Sequence, residues 1–251
     1  EILPKLPTRL GSTRNFERLL VHSDAKYVLL ADQDDIWHPL KAERMLNFMS
    51  QIELASQRSQ PLLIYTDLSL IDGFSKVFSN SFFRYQRLNP YKSDWLSIGI
   101  QNVVTGCTCM VNRHAIMAAL PFPKEVIMHD WWLALVSARI GDIYYLPEPL
   151  TLYRQHSSNL VGAKGFYGLL LSKFILFLKG QNLDISVIRS LQQLIACNLR
   201  YPDSKYFLMI NKLLDSNPII RLISALRLRI TKHGFVRTAV FYCYLLSLAK
   251  H

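Results

Sequence analysis

The chain has 251 residues, half of them apolar, enough to bury a substantial core in one large domain or two small ones, and this excludes a disordered tail. Its 29 Lys and Arg against 18 Asp and Glu give a net charge of +11, yet residues 1–160 carry 16 basic and 15 acidic groups while 161–251 carry 13 and 3, so a near-neutral body precedes a basic, apolar tail. Four cysteines, of which only Cys107 and Cys109 are close together, exclude a disulfide-dense scaffold and a paired CxxC zinc site and favour a reducing compartment.

Residues 1–11 hold no sustained apolar run of the kind a signal peptide needs. Glu1 stands where translation would place Met, which points to a processed chain or a piece of a longer reading frame. From Lys26 the run KYVLLADQDDIW reads as a buried strand that ends in Asp32, Asp34 and Asp35. Pro39 suits a first helical turn, and Met45, Phe48, Met49 and Ile52 recur at helical spacing, predicting a helix over 39–52. A second strand is expected at 62–66, ending at Asp67. Strand, helix, strand argues for a βαβ unit in a mostly parallel sheet, with Asp32, Asp34, Asp35 and Asp67 at the edge where the strands end.

Residues 73–97 lack a clear period and read as a long surface excursion. Strand character resumes over 102–111, a short helix starts at Arg113, and Pro121 and Pro123 mark a turn. HDWWLALVSARIG predicts a helix that stops at Gly141, with Asp130 at its N-terminus. A strand follows at 143–146, and helices are expected near 166–179, 185–199, 203–214 and 217–250, the last broken around Gly234. The most apolar window, residues 165–178, is interrupted by Lys173 and is shorter than the roughly 20 residues that span a bilayer.

Three carboxylates within four residues repel one another and raise one another's pKa unless a cation lies among them. A divalent metal answers this, and oxygen ligands favour Mg2+ or Mn2+, ions that bridge to nucleotide phosphates. A solvated acidic turn answers the same pattern equally well.

LADQDDIW resembles the acidic metal-binding motif of inverting family 2 glycosyltransferases with the GT-A fold. RLGSTRNFERLL upstream and TGCTCMVNR, MHDWW and YRQHSSNLVG downstream resemble further blocks of that family in the same order, over about residues 9–163. The subset most resembled is the rhamnosyltransferase-like enzymes of bacterial cell-envelope polysaccharide assembly. The resemblance implies an α/β, Rossmann-like GT-A body over 1–163 and a basic, apolar helical region over 164–251. It also implies that N-terminal strands of the family's donor pocket, on the order of 60 residues, are missing ahead of residue 2.

By the same resemblance Asp32 would meet the nucleotide ribose or a metal, Asp34 would ligate the metal, and Asp35 would support it or contact the donor sugar. Asp130 would be the general base; its place before a helix also suits a cap, and both roles are compatible. Arg154 would face the diphosphate and His156 would be an additional metal ligand, although an Arg and a His on a loop are commonly ordinary surface groups. Trp131 and Trp132, adjacent on a helix, cannot both face one core, so one is available to stack on a sugar or both pack against different neighbours; Trp37 lines the site or anchors its turn. Gly106 would leave room beside a sugar, while Cys107 has no support as a nucleophile and Cys109 reads as core.

The implied partners are a nucleotide-sugar donor and a saccharide or lipid-linked saccharide acceptor, with no nucleic acid. The tail suits peripheral contact at the inner face of the plasma membrane of the cytoplasm, or a helical subdomain packed on the body. Two other readings remain at this point: a non-catalytic binding or scaffold fragment, and a metal-dependent phosphoryl-transfer enzyme, which lacks a second ligand cluster.

Overall fold

The computed structural model describes residues 2–155 and 184–248. It is an α/β protein built on one sheet, in which the acidic motif falls on the loop between β1 (Tyr27–Leu29) and β2 (Ile36–Trp37). After α1 (Gly11–His22), β1, β2 and α2 (Lys41–Ser56), the chain enters the central strand β3 (Leu62–Ile71). It continues through β4 (Val77–Ser79), α3 (Phe82–Gln86), α4 (Trp95–Ile100), a 3-10 turn (Gly106–Thr108), β5 (Cys109–Asn112), α5 (Arg113–Ala119), α6 (His129–Ile140) and β6 (Asp142–Arg154). Among the described residues four helices follow in the C-terminal region: α7 (Asp184–Arg200), α8 (Phe207–Asp215), α9 (Pro218–Arg227) and α10 (Phe235–Ser247).

The strand order is β1-β5-β3-β6-β2, with β4 on the far end of β3. β1 and β3 each run antiparallel to β5 and therefore parallel to one another, and β6 runs parallel to β3. The expected strand–helix–strand unit is present, but the sheet is mixed rather than mostly parallel. β5 inserts between β1 and β3 in the opposite direction, so β3–β6 is the direct parallel ladder among the described residues.

All ten residues of β3 are buried because helices cover both of its faces. Leu63 and Tyr65 pack in the main core with Trp132 and Leu133 of α6, while Leu62 and Ile64 meet Met45 and Met49 of α2. Helix α2 starts two residues after Pro39, since Lys41 N–H closes a turn on the His38 carbonyl at 2.9 Å, and it ends where Gln57 turns left-handed. Helix α6 is buried nearly all round and stops at Gly141, where a Cβ would lie 1.9 Å from the Pro61 carbonyl oxygen.

β3 continues five residues past the expected end, placing Asp67 within the strand instead of at the site edge. Its carboxylate braces the start of α3, accepting from Phe82 N–H at 3.0 Å and from the hydroxyl of the N-cap Ser81 at 2.5 Å. The 73–97 excursion carries β4 and α3, and Phe83 buries in the main core; of the expected 102–111 strand only Cys109–Asn112 forms. β6 runs on to Arg154 past a bulge: Thr66 pairs with Leu146 but Asp67 with Pro149, so Pro147 and Glu148 stand out of the ladder.

The helices over 184–248 belong to the same core: Leu191, Leu194 and Cys197 of α7 cluster with Ile98 and Trp132. Gly99 lets α7 seat on α4, since a Cβ there would meet Leu194 Cδ1 at 2.5 Å. The expected boundary at 163/164 and helix at 166–179 lie outside the described residues. Among the described residues no helix is long and apolar enough to cross a membrane.

Candidate active site

The loop from β1 to β2 brings Asp32 and Asp35 against Cys107 of the 3-10 turn, with one ligand atom from each of the three lying within 4.8 Å of the others. Asp34 is not among them. Its carbonyl accepts from Arg154 Nε at 3.1 Å, so the structure converges Asp32 with Asp35 where the sequence points to Asp32 with Asp34. Desolvation, then the charges of Asp35 and Asp34, raise the Asp32 pKa; desolvation chiefly raises that of Asp35, against the Cys107 thiol and the Arg154 N–H, which favour its charged form. The Arg154 N–H reaches Asp35 Oδ1 at 3.1 Å, whereas Oδ2 is buried and accepts no N–H or O–H.

These residues fit a hard divalent cation. Two converging carboxylates of raised pKa, one with an orphaned oxygen, supply the oxygen ligands that Mg2+ or Mn2+ takes. Cys107 adds little for such an ion, since burial and the Asp35 charge push its thiol well above the ordinary range.

Beneath the acidic pair lies Lys41, fully buried, a residue not singled out from sequence. Its ammonium donates to the Cys107 carbonyl and to Thr151 Oγ1 at 2.9 Å, and sits 3.9 Å from the centre of the Trp37 ring. Burial lowers its pKa to about 8, while the nearby Asp35 and Asp32 hold it up. A signal was available: Lys41 precedes Met45 and Met49 at helical spacing, which puts it on the buried face of α2.

Asp130 is the second residue of α6, not its cap, a position Met128 occupies. One carboxylate oxygen accepts from Trp131 N–H at 2.7 Å and the other from Gly106 N–H at 2.9 Å. Burial pushes the Asp130 pKa up to about 6, and the charge of Asp32 adds to the shift, which ties Asp130 electrostatically to the acidic loop. Consecutive residues of one turn thus serve both groups: Gly106 donates to Asp130 and Cys107 faces Asp35. The space a Gly106 Cβ would need is taken by His129, whose Nε2 would be 3.2 Å away, and by Asp130, so the glycine makes room for protein groups. His129 is stacked 3.7 Å from Phe16, and burial lowers its pKa to about 4, leaving it neutral near pH 7.

Trp132 is fully buried and its indole N–H is bonded to the Ala119 carbonyl at 2.9 Å, which removes it from any contact with a sugar. Trp131 is half-buried, its indole N–H held by the Ile98 carbonyl at 2.5 Å. Trp37 lines a shallow depression with Ile36, His38, Pro39, Pro149 and Leu152. The Arg154 guanidinium grips the β3–β4 turn, reaching Ser75 Oγ at 3.0 Å and the Asp72 carbonyl at 3.3 Å, as well as Asp34. His156 lies outside the described residues.

No protein-family model matches the chain. It is similar to the dTDP-rhamnosyl transferase RfbG of Shigella flexneri, with 25% identity over 175 residues, which cover 64% of this chain and 55% of that relative. The chain thus spans about half the length of the curated relative it matches.

Proposed function

We propose that the chain acts as an inverting family 2 glycosyltransferase that moves a sugar from a nucleotide-sugar donor to a saccharide or lipid-linked saccharide acceptor. The observation that carries this reading is the shared turn, with the Asp32–Asp35 pair at Cys107 and the raised carboxylate of Asp130 at Gly106. The similarity to a dTDP-rhamnosyl transferase supports the reaction class and makes dTDP-rhamnose the first donor to test.

Asp32 and Asp35 would hold Mg2+ or Mn2+, which would supply positive charge to a leaving diphosphate. Asp130 acts as general base. Each of its oxygens keeps a lone pair beyond the one facing a backbone N–H, and its pKa of about 6 leaves it ionised at pH 7 yet basic enough to take a proton. As the acceptor hydroxyl oxygen bonds to the anomeric carbon and the bond to the diphosphate breaks, the hydroxyl proton passes to Asp130. Attack opposite the leaving group inverts the centre. Arg154 holds the acidic loop against the β3–β4 turn, and Trp37, with Lys41 over its ring, lines the rim.

Peripheral attachment to an anionic membrane belongs to the same reading. On α9, Ile219, Ile223 and Leu226 are exposed at helical spacing while Arg221 and Ser224 turn inward, and Arg227 and Arg229 are exposed beside them.

Titration of the chain with dTDP, UDP and GDP, each with and without Mn2+, tests the donor site. Manganese-dependent dTDP binding that is lost in Asp35→Ala is expected. Nucleotide binding indifferent to both Mn2+ and Asp35→Ala overturns the proposal.

A further inference from the structure

The acidic pair has a third neighbour that a magnesium or manganese site does not use. The Cys107 Sγ lies within 4.8 Å of a carboxylate oxygen of both Asp32 and Asp35, it is only 1% exposed, and its thiol bonds to the carboxylate of Asp35, whose Oδ2 is buried and accepts no N–H or O–H. One sulfur and two carboxylate oxygens meeting at one point form a donor set of mixed softness. Hard cations are satisfied by the oxygens, whereas zinc and cadmium gain from a thiolate and coordinate it strongly enough to displace its proton.

We propose that Asp32, Asp35 and Cys107 form a capture site for thiophilic divalent metals, which bind through the Cys107 thiolate and both carboxylates and compete with Mg2+ or Mn2+ for the same place. On binding, the S–H bond of Cys107 breaks, a metal–sulfur bond forms, and one proton leaves to solvent, with no change of oxidation state. The fixed geometry favours this outcome. Lys41 pins the Cys107 carbonyl and Arg154 pins Asp35, so the sulfur is held facing the carboxylates before any metal arrives. Cys109, two residues on, is not part of this cluster, and its thiol donates to the Gly106 carbonyl at 3.3 Å. The competition with Mn2+ rests on the function proposed above, whereas the thiolate coordination does not.

The test is titration of the whole chain with Cd2+, followed by the sulfur-to-metal charge-transfer band in the ultraviolet, alongside Mn2+ binding followed by electron paramagnetic resonance. A band that saturates at one equivalent is expected, with one proton released per metal. Cys107→Ser should lower Cd2+ affinity at least about tenfold and abolish the band while leaving Mn2+ affinity within about twofold. Cys243→Ser, which removes the exposed cysteine, should leave the band intact. Excess Mn2+ should bleach the band in the unmodified chain, a measurement that needs no variant to fold. A band that persists in Cys107→Ser, or no band at all, overturns the capture site. Cadmium capture without any Mn2+ binding would uphold it and count instead against the glycosyltransferase reading.

Discussion

The ammonium of Lys41 donates to the carbonyl of Cys107, and that bond ties the first turn of α2 to the turn on which the acidic loop and Asp130 both lean. A buried cation thus sits within electrostatic reach of Asp32 and Asp35, doing part of what a bound metal would do. Lys41→Met should lower stability by about 1–3 kcal/mol at pH 7, since it leaves the Cys107 carbonyl and Thr151 Oγ1 with only the 3.3 Å bond between them and the carboxylates without their cation. The loss should shrink at pH 4, where the carboxylates take up protons, and Mn2+ should restore more stability to the variant than to the unmodified chain. Urea denaturation at the two pH values, with and without Mn2+, measures this.

Asp130 sets a pH dependence whose sign follows from its raised pKa. Its folded value of about 6 exceeds the unfolded 3.8, so between these the folded state binds more protons and stability falls as pH rises, by about 3 kcal/mol across the window. Asp130→Asn should flatten this slope. In transfer assays kcat/KM should fall tenfold per pH unit below about 6, the base being protonated there. Denaturation and rate profiles on the same samples separate the two effects.

Asp35→Asn removes one of two repelling carboxylates. Without metal the variant should match or exceed the parent's melting temperature, because relief of the Asp32–Asp35 repulsion opposes the weaker bond to the Arg154 N–H. Mn2+ should raise the melting temperature of the parent but not of the variant. Thermal unfolding at matched protein concentration, with and without Mn2+, shows the reversal.

Asp67 is the contrasting carboxylate. Asp67→Ala should cost about 1–3 kcal/mol by leaving Phe82 N–H, Leu68 N–H and the Ser81 hydroxyl without their acceptor, and should leave Mn2+ binding unchanged. Equilibrium denaturation beside a metal titration checks both halves.

The placement of the acidic loop and of Asp130 is legible in the sequence because it depends on short-range pattern. An apolar run ending in Asp32, Asp34 and Asp35 announces a strand that delivers charge, and HDWW before an apolar run announces a helix with Asp130 at its start. What escaped was set by pairing partners distant in sequence. β5 arrives from the far side of the 73–97 excursion and inserts antiparallel, which no local period of Lys26–Thr66 encodes. Asp67 reads like a site residue until Ser81 and Phe82, fourteen and fifteen positions on, are seen to claim it. Lys41 shares a helix face with Met45 and Met49, but a lysine in a first helical turn is ordinarily solvated, and what gives its ammonium buried partners is the closing of Thr151 and Cys107 over it.

Helix α6 presents no polar face to water. Residues Trp132 to Ser137 are all buried, between α5, the sheet and α7. Such an element cannot persist once any one of its neighbours leaves, so the sheet and the C-terminal helices should lose structure together. A protease that cuts between them would release no folded piece from either side, and near-ultraviolet and far-ultraviolet dichroism should melt at one shared temperature.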